Sequence, residues 1–561
     1  MKPSVDNSTA LDKAFHWERS RANKPYLTQP LGGGAVRTWT WAQALDEARR
    51  VASFLQSQPF PAGSQIAIVA KNAAHWILAD LAIWMAGHVS VPIYPTLHGD
   101  AVRYILEHSE SRLLFVGKLD DWKQVRTGIP EAFPVVRLPL ADADRGTPWE
   151  DIIGASAPLQ TPARRRPEEL ATIIYTSGST GVPKGVMLSF GAMALAAEGM
   201  GKQVSTSAAD RMLSYLPLAH GFERWAVETC SLTFGFQVFF AESLDTFLVD
   251  LRRARPTLFV SVPRLWRKFQ LGVLAKLPEA RLQRLLGIPV VSSLLRRKIL
   301  RGLGLQHVRF AGSGSAPIPP EVIAWYRRLG LELLEGYGMT ENFAYSHMSL
   351  PGRSRVGYVG NAYPEVAVRI GADGEILVRS PASMMGYFKA AESTAEAFTE
   401  DGYLRTGDQG ELDEQGRLRL TGRVKELFKT SKGKYVAPAP IENLLLVHAD
   451  IEQACVMGSG CPQPFGLVAL AEQARASAAD PAGRRALGGR LEEHLRTVNE
   501  APEHHERLDF VAVTGEEWRI DNGLLTPTLK IKRSAIEARY GEVAQRGREA
   551  GGAVVWLDAG S

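Results

Sequence analysis

Cysteine is scarce in this chain: only Cys230, Cys455 and Cys461 occur among 561 residues. Three thiols with no His or Cys nearby in zinc-ligand spacing exclude a disulfide framework and a cysteine-based zinc site. Long uncharged stretches are also lacking. The longest segment without Asp, Glu, Lys or Arg, Leu81–Gly99, contains Pro92, and we expect a buried helix that enters a strand rather than a membrane span. The first 25 residues hold no apolar run, so we expect no signal peptide and a soluble, cytoplasmic protein.

Length and composition indicate a globular protein with more than one domain. Hydrophobic residues make up 45% and charged residues 22% of the chain, which is ordinary for a soluble protein and excludes collagen-like and disordered classes. Single hydrophobic cores stop growing at about 250–300 residues. We therefore expect at least two domains.

Positive charge is concentrated in one segment, Pro263–Arg301, which holds ten Lys or Arg and one Glu within a chain of net charge +5. Leu and Val recur in this segment at helical spacings. One interpretation is a basic amphipathic surface that contacts anionic lipid at the inner face of a membrane. The other, which charge runs favour, is a helix pair on the core with a solvated basic face. No basic motif interleaved with aromatic residues occurs, so we expect no nucleic-acid partner.

Short apolar runs alternate with helical patterns along most of the chain. Two segments predict amphipathic helices, WAQALDEARRVASFLQ and AVRYILEH. Six runs are typical of buried strands: SQIAIVA, RLLFVG, LATIIYTSGS, RMLSYLP, QVFFA and PTLFVSVP. This alternation indicates an α/β fold with parallel sheets flanked by helices.

The pattern changes twice towards the C-terminus. Beyond about Asn361, short strands separated by DG and QG turns predict a small antiparallel β-unit. From about Val424, short strands mix with charged helices. We therefore predict a large N-terminal domain at residues 1–423 and a small, mobile α+β domain at residues 424–561.

The segment Tyr175–Ser189, YTSGSTGVPKGVMLS, has the composition of an anion-binding loop. A predicted buried strand leads into Gly, Ser and Thr, then Lys184, then a helical pattern. Glycine lets the main chain approach an anion, and successive N–H groups and hydroxyls can surround phosphate oxygens. The Walker sequence occurs nowhere in the chain, which disfavours a kinase or P-loop NTPase. A flexible surface turn is the alternative.

This loop resembles the phosphate loop of the acyl-adenylate-forming (AMP-binding) synthetases. Four further stretches follow in the order of that family: GSGSAPI from Gly312, EGYGMTEN from Glu335, YLRTGDQGELDEQGRLRLTGR from Tyr403 and LTPTLKIKR from Leu525. The stretches YLPLAHGFER, VPRLW and GKYVAPAPIEN are most similar to the long-chain fatty acyl-CoA synthetases. Amino-acid-activating members place an Asp soon after the Pro-Leu pair, where this chain has AHGF, so the resemblance implies an acid without an α-ammonium group.

The resemblance implies activation of a long-chain fatty acid by ATP and Mg²⁺ to acyl-AMP and pyrophosphate, followed by transfer to coenzyme A and release of AMP. Lys434 stands where long-chain members usually have Glu, and Ala439 lies near a second position that is usually acidic. The acceptor is thus open between coenzyme A and an acyl carrier protein. A catalytically silent acyl- or nucleotide-binding protein is the alternative from another class.

The resemblance also implies a nucleotide site. Its phosphate loop comprises Thr176, Ser177, Gly178, Ser179, Thr180, Gly181 and Lys184. Its adenine pocket comprises Gly312, Ser313, Gly314, Ser315, Ala316, Pro317 and Tyr337, and Gly338 and Met339 are also implied to bind the nucleotide. Thr340 would touch the α-phosphate and Glu341 would bind Mg²⁺, which prefers carboxylate and phosphate oxygens. Asp408 would accept the ribose hydroxyls, and Arg423 would add a permanent cation.

Lys530 is implied as the catalytic lysine, a flexible point charge between the attacking carboxylate and the α-phosphate. Its place in the second domain implies rotation about a hinge near Lys425, which would present Gly433 to the pantetheine arm in the other orientation. His220 and Trp266 resemble positions that flank the acyl channel. Trp266 is either a gate of that channel or an ordinary core residue.

Overall fold

A computed structural model of the chain describes residues 8–177, 182–424, 426–500, 502–519, 521–526 and 530–557. Besides 3₁₀ turns at Thr340–Asn342 and His504–Glu506, it has one π-helical turn, Arg224–Thr229. The α-helices are, in chain order, α1 (Ala10–Arg21), α2 (Trp41–Ser57), α3 (Ala74–Met85), α4 (Gly99–His108), α5 (Trp122–Arg126), α6 (Trp149–Ala155), α7 (Phe190–Gln203), α8 (Gly221–Glu223), α9 (Cys230–Phe234), α10 (Phe247–Ala254), α11 (Pro263–Leu274), α12 (Glu279–Leu286), α13 (Pro289–Gly302), α14 (Pro320–Arg328), α15 (Ala391–Ala397), α16 (Pro438–Leu445), α17 (Glu472–Ala478), α18 (Pro481–Val498), α19 (Arg533–Tyr540) and α20 (Val543–Ala550).

The strands alternate with these helices along the chain. They are, in order, β1 (Pro25–Gly32), β2 (Ala35–Thr40), β3 (Gln65–Val69), β4 (Val89–Ile93), β5 (Leu113–Val116), β6 (Val135–Arg137), β7 (Thr147–Pro148), β8 (Leu170–Ser177), β9 (Pro183–Ser189), β10 (Arg211–Ser214), β11 (Gln237–Phe240), β12 (Leu258–Ser261), β13 (Phe310–Ser313), β14 (Leu333–Tyr337), β15 (His347–Met348), β16 (Asn361–Ala362), β17 (Ala367–Ile370), β18 (Glu375–Arg379), β19 (Gly386–Tyr387), β20 (Leu404–Leu412), β21 (Leu418–Arg423), β22 (Phe428–Lys429), β23 (Tyr435–Val436), β24 (Ile451–Met457), β25 (Phe465–Leu470), β26 (Val511–Thr514) and β27 (Val554–Leu557).

Sheets of mixed direction form the larger, N-terminal part of the described chain. The widest has the order β19-β9-β8-β4-β3-β5-β6-β7, and a second has the order β12-β13-β14-β15-β16. Strands β10, β11, β1 and β2 form a third sheet. Strands β17, β18, β20 and β21 pair only antiparallel and form the small β-unit. The smaller C-terminal part is built on the sheet β24-β25-β26-β27, so the expected α/β fold with a large first and a small second domain is confirmed.

Local sequence patterns predicted most of these elements correctly. The six apolar runs form β3, β5, β8, β10, β11 and β12, and the two amphipathic segments form α2 and α4. The helical pattern expected directly after Lys184 is wrong: residues Pro183–Ser189 form β9, antiparallel to β8, and α7 starts only at Phe190. Val186 and Leu188 of β9 are fully buried whereas Met187 is not, so alternate burial in a sheet determines the local structure here.

The basic segment Pro263–Arg301 forms three helices, α11, α12 and α13, rather than a pair. Helix α11 packs Trp266 and Phe269 into an aromatic core with Phe247, Phe259 and Tyr326. In the described part of the chain, no helix combines the length and the apolar character needed to span a bilayer.

A fully buried charge cluster lies beneath the π-helical turn. Arg224, Asp80 and Glu228 have no exposed side-chain surface, and Arg224 forms ion pairs with both carboxylates. The guanidinium also donates to Ser90 Oγ over 2.8 Å. Burial, and then the neighbouring Asp80, raise the pKa of Glu228 well above its usual value. Protonation of Glu228 therefore leaves a neutral pair of Arg224 and Asp80.

Candidate active site

One large cavity, of about 2980 Å³, lies between the two parts of the protein. Parallel strands β13 and β14 end at its wall, where side chains of α/β proteins commonly converge on a ligand. Residues from β8, the β-unit and the second domain complete the wall. The sequence-predicted residues on the wall are Thr176, His220, Gly312, Ser313, Gly314, Ser315, Ala316, Pro317, Tyr337, Gly338, Met339, Thr340, Glu341, Asp408, Arg423 and Lys530.

Part of the predicted phosphate loop lies outside the described residues, namely Gly178, Ser179, Thr180 and Gly181. The strands on either side are described. Thr176 on β8 is the register partner of Lys184 on β9, so the loop joins two adjacent antiparallel strands. The Lys184 ammonium lies 5.1 Å from the centre of the Tyr387 ring. Lys184 therefore lies beside the cavity-lining Thr176, and Tyr387 is a neighbour that sequence motifs did not indicate.

Glu341 lies in the 3₁₀ turn after β14 and is nearly buried, with 9% of its surface exposed. Its carboxylate accepts a hydrogen bond of 2.9 Å from the Tyr387 hydroxyl, and its backbone carbonyl accepts one of 2.7 Å from the Met384 amide. Burial raises the pKa of Glu341. Both contacts come from the chain near β19, which therefore fixes the orientation of this carboxylate.

The residues around Glu341 fit a magnesium ion that is shared with a nucleotide. Mg²⁺ usually binds proteins through one or two carboxylates and completes its shell with substrate phosphates and water. Among the described residues, no cluster of three or more His, Cys, Asp or Glu side chains is arranged around a metal position. A single oriented carboxylate beside a phosphate loop matches the shared arrangement better than an all-protein cage.

Asp408 and Arg423 are register partners on β20 and β21. Arg423 Nε donates to Asp408 Oδ1 over 2.8 Å, and the Tyr337 hydroxyl donates to Asp408 Oδ2 over 2.8 Å. Asp408 thus has one oxygen toward the arginine and one toward the tyrosine that ends β14. A carboxylate offers about four lone-pair sites, so further acceptor capacity remains for a diol.

The Gly312–Pro317 loop leaves β13 next to Tyr337. The Ser313 hydroxyl is buried and has no hydrogen-bond partner within the described ranges, as is expected of a group that serves a ligand. Ser315 adopts a left-handed conformation with φ 68°. At Gly338, an added Cβ would lie 2.6 Å from the Ala344 backbone, so this position of the wall requires glycine.

His220 and Lys530 approach the cavity from opposite domains. His220 Nδ1 accepts a hydrogen bond of 3.1 Å from the Phe222 amide. Burial and the nearby Lys530 cation lower the pKa of His220 to about 3. The imidazole is therefore neutral with its proton on Nε2, which makes it a hydrogen-bond donor.

Lys530 lines the cavity and keeps contact with solvent there. Desolvation by the surrounding protein, with repulsion from Arg423, lowers the pKa of the Lys530 ammonium group. Its backbone amide donates to Thr526 Oγ1 over 3.1 Å, and its carbonyl accepts from the Thr526 amide over 2.7 Å. These two bonds join Lys530 to Thr526.

Two further candidates lie away from the cavity wall. Trp266 is fully buried, donates from Nε1 to the Gly312 carbonyl over 3.1 Å and packs edge-on against Tyr326. Trp266 thus lies in the core, where it supports the Gly312–Pro317 loop, and it is not part of the cavity wall. Gly433 occupies the exposed turn between β22 and β23 with φ 75°. The proposed hinge residue Lys425 lies outside the described residues.

An apolar part of the wall adjoins His220. Its members come from α7, α8, the π-helical turn, β15 and the loop before β17: Met200, Phe222, Trp225, Ala226, Met348 and Tyr363. The Trp225 ring lies 5.8 Å from Phe222 and 6.4 Å from Tyr363. This surface suits an acyl chain whose carboxylate lies near His220.

Helix α11 contacts the second domain through two arginines. Arg264 forms an ion pair with Glu452 at the start of β24, and Arg267 donates to the His448 carbonyl. Loss of hydration lowers the pKa of Arg267 to about 10. Motif comparison did not indicate these residues, because charged residues in the basic segment predict a solvated face.

Comparison with known proteins identifies relatives along both parts of the chain. A family model described as AMP-binding enzyme matches residues 14–388, and one described as AMP-binding enzyme C-terminal domain matches residues 426–546. Long-chain-fatty-acid–CoA ligase FadD15 of Mycobacterium tuberculosis is 31% identical, over 94% of this chain and 95% of its own. Long chain acyl-CoA synthetase 6, peroxisomal, of Arabidopsis thaliana is 31% identical, over 96% and 86%. The A-PCP didomain of carboxylic acid reductase from Segniliparus rugosus, in complex with AMP, has the same fold, with a TM-score of 0.79, 23% identity and coverage of 98% and 83%.

Proposed function

Because the chain belongs to the AMP-binding enzyme family, we propose that it activates a long-chain fatty acid with ATP and transfers the acyl group to coenzyme A. At the level of the family, it is an adenylate-forming ligase that uses ATP, Mg²⁺ and coenzyme A. Relatives named as long-chain fatty acid–CoA ligases support the finer choice of substrate.

One observation carries this proposal: Asp408, His220 and Lys530 share a single cavity with an apolar wall. Asp408 suits a ribose diol, His220 offers a neutral donor, and Lys530 brings a cation from the second domain. The apolar residues next to His220 suit an alkyl chain. Their shared cavity supports the proposal of adjoining sites for a nucleotide, a carboxylate and an acyl chain.

In the first step, a carboxylate oxygen of the fatty acid attacks the α-phosphorus of ATP, and the bond from that phosphorus to pyrophosphate breaks. Lys530 stabilises the charge that accumulates between the two anions. His220 orients the carboxylate through Nε2–H, while Asp408 and Arg423 hold the ribose. Mg²⁺ bound at Glu341 would neutralise charge on the phosphates.

In the second step, the thiol sulfur attacks the acyl carbon, loses its proton, and AMP leaves with the electrons of the acyl–oxygen bond. We place this step in a second orientation of the C-terminal domain, which brings the turn of Gly433 to the cavity. The exposed Lys432 and Lys434 beside Gly433 suit the phosphates of coenzyme A and also an acidic carrier protein.

A pyrophosphate-release assay over free acids of increasing chain length, with and without coenzyme A, tests the proposal. Each added methylene that the apolar wall buries should favour binding by about 0.8 kcal/mol until the pocket is filled. Lys530→Ala should abolish release, whereas Lys202→Ala, at an exposed position of α7, should leave it unchanged.

The outcomes separate the alternatives. Sustained turnover that requires coenzyme A, together with acyl-CoA as the product, supports the ligase. If pyrophosphate release does not depend on coenzyme A and the acyl group is transferred to the thiol of a carrier protein, the acceptor is the carrier protein and not coenzyme A. Absence of release with every acid, despite ATP binding, overturns the proposal in favour of a silent binding protein.

A further inference from the structure

The N-terminal end of α13 exposes a group of large apolar side chains. Val290 is 74% and Leu294 is 65% exposed, and Ile288 and Val291 beside them are also exposed. We call residues 288–294 the α13 tip. Scattered apolar residues are common on protein surfaces, but a contiguous group marks an interaction site.

A basic surface adjoins the α13 tip. The next turns of the helix expose Arg296, Arg297, Lys298 and Arg301. In the part of the chain that the structure describes, none of these four forms an ion pair, and the one carboxylate of the segment, Glu279, pairs with Arg328 on α14. The positive charge is therefore available to an external anionic surface.

The opposite side of α13 is anchored in the protein. Leu295, Ile299 and Leu300 pack against the core cluster that contains Trp266, and Ser292 is buried. The apolar tip therefore projects from a fixed helix. The outward side of α13 is apolar at Val290 and Leu294 and becomes basic at Arg297 and Lys298 within two turns. This spacing suits a bilayer surface, where acyl chains give way to charged headgroups.

The cavity wall reaches the same helices. Beyond α11 it includes Leu277, Leu285, Leu295, Lys298 and Ile299. An acyl chain that left a bilayer at the α13 tip would thus meet apolar side chains of the same cavity that holds His220 and Lys530. A long-chain acid partitions into bilayers because each buried methylene contributes about 0.8 kcal/mol, so a site at the membrane surface meets its substrate at high local concentration.

We propose that the α13 tip and its basic turns dock this protein on an anionic phospholipid bilayer, from which the substrate chain enters the cavity. Unpaired arginines next to exposed Val and Leu favour this occupant over a second copy, because two identical basic faces repel each other. The docking rests on the surface alone, whereas the entry of the chain rests also on the proposed function.

Co-sedimentation of the full chain with vesicles tests the docking. We expect binding to vesicles of phosphatidylcholine with phosphatidylglycerol, weak binding to phosphatidylcholine alone, and loss of binding at high salt. Val290→Ser with Leu294→Ser, and separately Arg296→Gln with Arg297→Gln and Arg301→Gln, should each weaken binding by about tenfold or more.

Matched controls carry the same changes elsewhere. Leu31→Ser on β1 alters another exposed apolar residue, and Arg485→Gln, Arg496→Gln and Arg548→Gln remove three exposed charges from α18 and α20. Equal binding of all variants, or no binding of the unaltered protein to anionic vesicles, overturns the proposal. Light scattering that shows a dimer sensitive to Leu294→Ser, without vesicle binding, assigns the face to a second copy instead.

An activity measurement separates docking from catalysis. With a water-soluble medium-chain acid, the apolar variant and the charge variant should both release pyrophosphate at the rate of the unaltered protein. With a long-chain acid embedded in anionic vesicles, their rate should fall by the factor seen in binding. Failure of the unaltered protein with every acid would contradict the proposed function while leaving the sedimentation result intact.

Discussion

The Tyr387 hydroxyl donates a hydrogen bond of 2.9 Å to Oε1 of Glu341, 46 residues earlier in the chain. Tyr387 ends the edge strand β19, which pairs with β9, and the Lys184 ammonium lies over its ring. One tyrosine thereby links the phosphate-loop lysine to the expected magnesium ligand. Its orientation of the carboxylate has a measurable consequence.

We expect Tyr387→Phe to raise the Mg²⁺ concentration needed for half-maximal pyrophosphate release by about tenfold, because a hydrogen bond to a charged group contributes about 1.5–3 kcal/mol. A titration of the rate with Mg²⁺ at fixed ATP measures the effect. The matched control is Tyr403→Phe, because the Tyr403 ring packs under Arg369. An unchanged Mg²⁺ requirement in Tyr387→Phe would show that the carboxylate needs no such orientation.

Arg423→Gln should raise the KM for ATP more than it lowers kcat, because Arg423 holds Asp408 rather than the reacting atoms. A charge-assisted hydrogen bond contributes about 1.5–3 kcal/mol, so we expect an increase of about tenfold. Arg369→Gln removes another arginine of the β-unit, one that pairs with Asp401, and should leave KM unchanged. A fall in kcat alone would place Arg423 at the reacting phosphate instead.

Reversal of the Arg264–Glu452 pair should slow acyl-AMP formation. Arg264→Glu and Glu452→Arg each place like charges across the domain boundary, and we expect each to reduce the single-turnover rate about two- to fivefold, since partly exposed pairs contribute up to about 1 kcal/mol. The double variant should recover the rate.

Thioester formation from preformed acyl-AMP distinguishes positioning from general damage to the fold. If the pair holds the domain in the orientation that brings Lys530 to the cavity, the single variants should keep this second step at the unaltered rate. Equal loss in both steps without recovery in the double variant would contradict the positioning role.

Glu228→Gln should raise the Tm, and more so at higher pH. The pKa of Glu228 is raised in the folded protein, so the stabilisation by this group is complete below its unfolded pKa and is lost as pH rises through its folded pKa. Glutamine carries no charge at any pH, so the variant does not lose stability as pH rises through the folded pKa of Glu228. Melting curves from pH 5 to 9 measure the difference, with Glu321→Gln, at an exposed position of α14, as control. A Tm difference that shrinks with rising pH would contradict the assignment.

The fold was largely predictable from local sequence, and so was the meeting of the candidate nucleotide residues at one cavity. Apolar runs identified the buried strands, and the ordered motifs identified Asp408 and Arg423, which the structure pairs on β20 and β21. Strand β9 was misassigned, because GVMLS is too short for its alternation to outweigh the helical pattern that follows.

Tertiary contacts were not predictable in the same way. Tyr387 lies outside the motif that carries Glu341, and only the pairing of β19 with β9 brings the two together. Trp266 belongs to a motif that resembles channel residues, yet its side chain turns towards Phe259 and Tyr326. Arg264 and Arg267 lie in a run of positive charge, and nothing in the neighbouring sequence predicts their partners in the second domain.

The Asp408–Arg423 pair also lies where the chain leaves the β-unit for the second domain. Lys530 of that domain interacts electrostatically with both residues. A nucleotide that changes the charge at Asp408 therefore changes the free energy of the domain orientation in which Lys530 lies near the pair. Thermodynamic reciprocity then requires that whatever biases the domain also changes the affinity for the nucleotide by the same factor. A ligand that biases the position of the second domain without touching ATP would thus act as an effector of ATP binding.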